Sequence, residues 1–224
     1  MKDNNNNRDT RRSMILGIGT AMAGAALVTP LAANAQSRGQ GRGFQAPSHD
    51  IDTWMDELSG NHRIFIDTST GTGGAEASLY AANLNNATTT AYAGEDASLA
   101  IIVCYRHFST PFAFNDGMWE KYGEIFHTVT GIADPNTSAA PRINLMQTAS
   151  YGLNLPSFGN TIDSARQSGV EIAICDAATQ FLSSQIGPAT GQEIQDVYEE
   201  LKANAVPGRF VSAGVMALTR AQEY

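Results

Sequence analysis

Ser98-Leu99-Ala100-Ile101-Ile102-Val103-Cys104 is the stretch that decides the fold of this chain. It is a nearly continuous apolar run of strand length, and such runs are typical of central strands buried on both faces of a parallel sheet. A second run of this kind occupies Val170–Cys175. Each run leads into a segment with helical periodicity, which predicts an α/β domain with a mainly parallel sheet.

Strands and helices alternate outward from these two runs. His62–Thr68 and Arg209–Ser212 have the pattern of further strands. Asp50 and Asn115 are residue types that cap helix starts. Helices are predicted at residues 51–58 after Asp50, 73–86, 115–126 from Asn115, 160–167, 177–185, 192–204 and 215–223.

The 131–158 segment contains three prolines and several Asn and Ser residues. Connections of this length without regular structure are uncommon and often functional. We therefore predict a long loop, with room for a short strand over residues 144–148.

The first 35 residues have the features of an export signal. Arg11 and Arg12 precede an uncharged run from Gly17 to Leu31, and small residues flank Asn34. These features predict a twin-arginine signal peptide over residues 1–35 and a periplasmic protein. The alternative is a membrane anchor, but glycines and a proline interrupt the run, which is shorter than the ~20 apolar residues that span a bilayer. Residues 36–49 are predicted to be a disordered linker and residues 50–224 a single domain.

The charge excludes several kinds of partner. The chain has 14 basic and 22 acidic residues, of which four and two lie in the predicted signal, so the remainder carries a net charge of −10. A surface this acidic argues against nucleic acid and, once the signal is removed, against anionic membranes.

Cys104 and Cys175 share a placement, since each ends an apolar strand and precedes a loop that leads into a helix. Ligands of open parallel sheets bind at the carboxyl ends of the strands, and the helix N-termini found there favour a thiolate. The alternative is that both cysteines are buried small apolar residues. If the two strands are neighbours, a disulfide between these cysteines also remains open.

Arg106 and His107 follow Cys104 almost directly. A guanidinium and an imidazole beside a thiol would stabilise a thiolate or hold an anion. The alternative is that Arg106 pairs with a carboxylate and that His107 packs against its neighbours.

No cofactor motif is complete. Cys104, His107, Cys175 and His127 do not have the paired spacing of a zinc site. The Thr70–Gly74 loop lies where phosphate-binding loops lie, but it matches neither the dinucleotide fingerprint nor the P-loop. We expect a plain helix start there and no bound cofactor.

Three stretches together resemble the DsrE-like family of sulfur-relay proteins. They are Ile101–Tyr122, which includes Arg106-His107-Phe108 and Trp119-Glu120-Lys121-Tyr122; Gly169–Cys175; and Val206–Glu223, which includes Pro207-Gly208 and Ser212-Ala213-Gly214-Val215. The resemblance covers most of the chain from about His62 onward. It implies a three-layer, flavodoxin-like α/β domain that assembles into homotrimers or homohexamers.

In the sulfur-trafficking members of that family, the strand-end cysteine carries sulfur as a persulfide, and Cys175 is similar in position. The resemblance therefore implies a periplasmic sulfur carrier or thiol-redox protein with a protein sulfur donor or acceptor as its partner. Cys175 would be the nucleophile, Cys104 a resolving thiol or disulfide partner, and Arg106 and His107 would bind substrate or tune charge. Two alternatives remain open: a non-catalytic oligomeric domain that binds a small ligand under the 131–158 loop, and a metal or haem carrier.

Overall fold

The computed structural model describes residues 46–147, 151 and 154–223. The predicted signal peptide and most of the predicted linker lie outside these residues. Residues 46–224 form one compact unit, and no helix of the described part is both long and apolar enough to cross a bilayer.

A four-stranded sheet forms the centre of the described chain. Its strands are β1 (His62–Thr68), β2 (Leu99–Tyr105), β3 (Glu171–Cys175) and β4 (Arg209–Val211). They lie in the order β1-β2-β3-β4 and every neighbouring pair is parallel. The two apolar runs that decide the fold, β2 and β3, are the central strands, and nearly all of their residues are buried.

The helices of the described residues follow the strands in the expected alternation. They are α1 (Gly71–Ala91), α2 (Asp116–Thr130), α3 (Ile162–Gln167), α4 (Asp176–Thr190), α5 (Ile194–Ala203) and α6 (Gly214–Glu223), with 3₁₀ helices at Asp50–Met55 and His107–Ala113.

The sheet separates two apolar layers of unequal size. Helices α1 to α5 cover one face, where Ile101, Val103 and Tyr105 of β2 point into the main core. The 3₁₀ helix at Asp50–Met55 and α6 cover the other face, where Ile102 and Cys104 point. This asymmetry follows from the strand order, because right-handed crossovers that all advance in one direction place their helices on one face. The prediction of a three-layer α/β fold with a parallel sheet is confirmed.

Several element boundaries differ from the predictions. The first predicted helix is a short 3₁₀ helix, and Asp50 lies inside it instead of capping it. Helix α1 begins at Gly71 because Thr70 accepts a hydrogen bond from the backbone N–H of Gly73, and it continues to Ala91. Asn115 caps α2 as predicted, accepting from the N–H of Met118.

The 131–158 segment has no strand over its described residues, and residues 145–147 form a turn, so the short strand predicted from Asn144 is wrong. Asn144 is fully buried, and its side-chain amide donates to the carbonyls of Phe112 and Phe114. Its side-chain oxygen accepts from the N–H of Met146. The segment is thus held by a polar side chain and not by strand pairing, which periodicity could not show.

Candidate thiol site

Both cysteines lie on the same face of the sheet, the face that α6 covers. In the register of β2 and β3, Cys104 lies opposite Ala173, and Cys175 is two positions further along β3. Paired residues of parallel strands point to the same face, and so do residues two apart in one strand. Cys104 is the last but one residue of β2 and Cys175 the last residue of β3. The two thiols therefore also lie near the carboxyl ends of their strands, as the sequence predicts.

Cys104 is completely buried in the small layer beneath α6. Burial raises the pKa of its thiol, and the nearby Cys175 and Asp67 raise that pKa further, whereas Arg106 acts in the opposite direction. Its environment therefore favours the neutral thiol, which is a poor nucleophile.

Cys175 ends β3 and is the N-cap residue of α4. Its Sγ also accepts a hydrogen bond from the backbone N–H of Gly214, the first residue of α6, at 3.4 Å. Cys175 thus lies at two helix starts: it is the N-cap residue of α4, where its side chain makes no capping hydrogen bond, and its Sγ accepts from the first residue of α6. The partial positive charge of a helix N-terminus stabilises an anion. A hydrogen bond from the N–H of Ala177 to the carbonyl of Ser212 holds the two helix starts together.

Cys175 is 6% exposed and reaches solvent through a shallow pocket of about 250 Å³. Asp176, the next residue, is drawn away toward α5, where Tyr198 donates to its carboxylate and Lys202 lies 3.7 Å away. The pocket is lined by Arg106, His107, Cys175, Ala177, Ala178, Phe181, Ala213, Gly214 and Val215.

Arg106 lines this pocket but its charge is already paired. Its Nε and Nη2 donate to the two carboxylate oxygens of Asp67, both at 2.6 Å. This bidentate bond raises the pKa of Arg106. Arg106 is therefore the partner of a carboxylate, which is the alternative that the sequence left open. The Arg106 side chain still borders the thiol pocket.

His107 is exposed at the mouth of the pocket and stacks on Phe108 with ring centroids 3.9 Å apart. Its φ of 52° lies in the left-handed region, which non-glycine residues rarely adopt. Such backbone strain is common at functional sites and persists only where the surroundings impose it.

Two residues of the site were missed by sequence reasoning, Asp67 and Gly214. Asp67 lies opposite Cys104 in the register of β1 and β2. A β-carbon on Gly214 would lie 2.9 Å from Cys104 Sγ and 2.7 Å from Arg106 Cδ. Asp67 could have been found from the sequence, because it is a carboxylate near the carboxyl end of a predicted strand. No feature of the neighbouring sequence indicates that Gly214 contacts both thiols.

The two thiols are free, and their offset is unsuited to a disulfide. Neighbouring strands are ~4.8 Å apart and two residues advance ~6.6 Å along a strand, so the α-carbons of Cys104 and Cys175 are about 8 Å apart. Bridged cysteines have α-carbons ~4.4–6.8 Å apart. The strands are neighbours, as the disulfide hypothesis required, but pairing these cysteines would need the backbone to move.

The other predicted features lie away from the thiols. His127, on α2, contacts the carbonyl of Ile132 through Nδ1. Over the described ranges, no group of three or more His, Cys, Asp or Glu side chains is placed to hold a metal ion. The Thr70–Gly74 loop is a capped helix start, and it borders a pocket of about 300 Å³ whose lining also includes Ile132, Leu145 and Leu155.

Comparison with protein-family models, with curated proteins and with solved structures finds no match to this chain. The resemblance to the DsrE-like family therefore stays a prediction.

Proposed function

We propose that this chain is an exported sulfur carrier in which Cys175 receives and passes on a sulfane sulfur as a persulfide. The observation that carries the proposal is the Cys175 Sγ, which accepts from the Gly214 N–H of α6 at the wall of a pocket, while Cys175 itself is the N-cap residue of α4. That arrangement supports a thiolate at a position that a small donor or a donor protein can reach.

The proposed reaction needs one protein thiol. The Cys175 thiolate attacks the terminal sulfur of a donor persulfide, R–S–SH. The donor's S–S bond breaks as the new one forms, leaving Cys175–S–SH and the thiolate R–S⁻. No net oxidation occurs, so the step needs no second cysteine. The offset of Cys104 therefore favours persulfide transfer over dithiol redox chemistry.

The neighbouring residues have roles that fit this step. The Gly214 N–H stabilises the Cys175 sulfur as an anion. Because Asp67 neutralises the charge of Arg106, the Arg106 side chain lines the pocket without binding a free anion strongly. His107, exposed at the pocket mouth, is placed to contact the donor.

Intact-mass measurement after incubation with glutathione persulfide tests the proposal. The wild-type chain and Cys104→Ala are expected to gain one sulfur atom that reductant removes, and Cys175→Ser is expected to gain none. Cys104→Ala is the matched control, because it removes a thiol from the same face of the sheet. Sulfur uptake by Cys175→Ser, or no uptake by the wild type, would overturn the proposal.

A second candidate function, a binding domain with inert cysteines, is favoured by one observation. Cys175 is only 6% exposed, while the 300 Å³ pocket beside the 131–158 segment has several apolar walls. In that case, the wild type takes up no sulfur. Native mass spectrometry would instead show a small molecule that co-purifies equally with the wild type and Cys175→Ser.

A further inference from the structure

The two edges of the sheet differ in their protection. At one edge, β4 has only three residues. At the other edge, β1 has seven, pairs with β2 without a bulge, and contains no proline. Unprotected edge strands are templates for another strand, and proteins usually shorten, bend or cover them. Within the described chain, no strand pairs with the outer side of β1.

The backbone groups of β1 that face outward can be assigned. The N–H of His62 donates to the carbonyl of Ser98, and the N–H of Arg106 donates to the carbonyl of Thr68, so His62 and Thr68 face β2. Successive residues of a strand direct their backbone groups to opposite sides. Arg63, Phe65 and Asp67 therefore present their N–H and C=O groups to the outside.

These three outward residues are self-complementary about Phe65, and we propose that β1 pairs antiparallel with β1 of a second copy of this chain. A two-fold axis at Phe65 places Phe65 opposite the partner's Phe65 and Arg63 opposite the partner's Asp67. Every outward residue then faces an outward residue, so the ladder has six backbone hydrogen bonds. A shift by two residues would leave only four.

The side chains match in the same register. Arg63, whose Nη2 donates to the carbonyl of Met55 and lies 3.7 Å from the Asp56 carboxylate in its own chain, meets the partner's Asp67 on the α6 face. Phe65 meets the partner's Phe65 on that face, and Ile64 meets the partner's Ile66 on the α1 face. Opposite charges, aromatic pairs and β-branched pairs are the cross-strand neighbours that stabilise sheets. Because Asp67 also holds Arg106, the partner's Arg63 would lie beside the wall of the thiol pocket.

Open grooves flank β1 on both faces, where the partner's helices would lie. One, of about 600 Å³, runs between β1 and the apolar side of α1, where Leu84, Ala87 and Ala91 line it. The other, of about 530 Å³, lies between β1 and the Leu218–Gln222 part of α6. A single strand from another protein would pair with the edge, but it would leave both grooves unfilled.

Phe65→Cys tests the axis directly. Hydrogen-bonded antiparallel partners have α-carbons ~5.5 Å apart, within the ~4.4–6.8 Å range of disulfides, so mild oxidation should yield a covalent dimer. His62→Cys is the control, because its two copies would be about 20 Å apart along the paired strands. The wild type, with two buried thiols, should also stay uncrosslinked.

Phe65→Pro and Phe65→Val test the noncovalent dimer by light scattering. Proline at this outward position leaves the ladder to β2 intact but removes two hydrogen bonds across the axis. It is expected to weaken self-association at least about tenfold, with the fold checked by circular dichroism. Phe65→Val keeps the N–H and should still associate.

A monomeric wild type, or an oligomer without crosslinking of Phe65→Cys, would overturn the pairing. The second outcome would identify another occupant of the edge, such as the chain's own first 45 residues, or assembly through another surface. The predicted hexamer, if it is a dimer of trimers, contains two-fold axes of the proposed kind, whereas a plain trimer contains none.

Discussion

At the scale of single residues, the thiol site depends on Gly214. Its N–H donates to the Cys175 sulfur, and its α-carbon lies so close to Cys104 and Arg106 that a β-carbon would approach both within 3 Å. One residue thus determines how closely α6 approaches the ends of β2 and β3. The reason is steric, since any other residue would push the helix start away from both thiols.

Gly214→Ala is expected to lower the free energy of unfolding by about 1–3 kcal/mol, because the new methyl group overpacks the contact. Without that contact, alanine in a helix would stabilise the chain by up to ~1 kcal/mol. A decrease in the free energy of unfolding would therefore show that the methyl group is overpacked. Urea denaturation measures the change.

The variant should also take up sulfur more slowly at Cys175, because α6 shifts away from the sulfur. Met216→Ala changes an exposed residue of the same helix and is the control. Its free energy of unfolding should stay within about 0.5 kcal/mol of that of the wild type. A Gly214→Ala protein as stable as the wild type would contradict this prediction, because the start of α6 would then be able to shift and accommodate the methyl group.

At the scale of elements, polar side chains decide where helices begin and where the long loop lies. Thr70, Asn115 and Thr161 each accept a hydrogen bond from the third residue after them, and a helix follows each. The 131–158 segment instead depends on Asn144, whose side chain makes three hydrogen bonds in the core. Its backbone N–H also donates to Asp116 of α2.

Asn144→Ala is expected to lower the free energy of unfolding by about 2–4 kcal/mol, because the buried carbonyls of Phe112 and Phe114 would lose their hydrogen-bond donor. Asn144→Asp should be at least as unfavourable, since it brings a carboxylate against two carbonyl oxygens. Chemical denaturation checks both variants.

Asn136→Ala is the control from the same segment, and it removes only an exposed hydrogen bond to Asn154. If Asn144→Ala were as mild as this control, the segment would be held by its apolar contacts instead.

At the scale of the whole molecule, the sheet buries titratable groups on both faces. Cys104 lies beneath α6, and Tyr105, next to it in β2, lies in the main core. Burial raises the pKa of both groups. The folded chain therefore keeps both protons at pH values where the unfolded chain loses them.

This proton retention predicts alkaline instability. Below the unfolded pKa of a thiol, ~8.5, the stability is fully present, and above it the free energy of unfolding falls by up to ~1.4 kcal/mol per pH unit for each such group. Tyr105 adds to the fall above about pH 10. Urea denaturation from about pH 7 to about pH 10 measures the part of this fall that the thiol causes.

Cys104→Ala should make the decline between about pH 8.5 and about pH 10 shallower, because the thiol no longer titrates. Val103→Ala, a buried neighbour that does not titrate, should lower stability equally at every pH. An unchanged slope in Cys104→Ala would mean that the thiol gains access to water before unfolding.

The sequence by itself determined the class of the fold, the positions of its strands and the placement of both cysteines at strand ends. These features depend on apolar periodicity and capping, which act over a few neighbouring residues. The one strand predicted within the long loop was wrong, because Asn144 forms its contacts with Phe112 and Phe114, far away in the chain.

Only the tertiary structure decided which groups meet. It offset Cys104 from Cys175, paired Arg106 with Asp67, placed Gly214 against both thiols and put β1 at an edge of the sheet that the described residues form. Each of these depends on strand order and register, which are set by the packing of whole layers. Contacts between residues tens of positions apart leave no pattern in a single sequence, and that is the physical reason why it could name the thiols but not their neighbours.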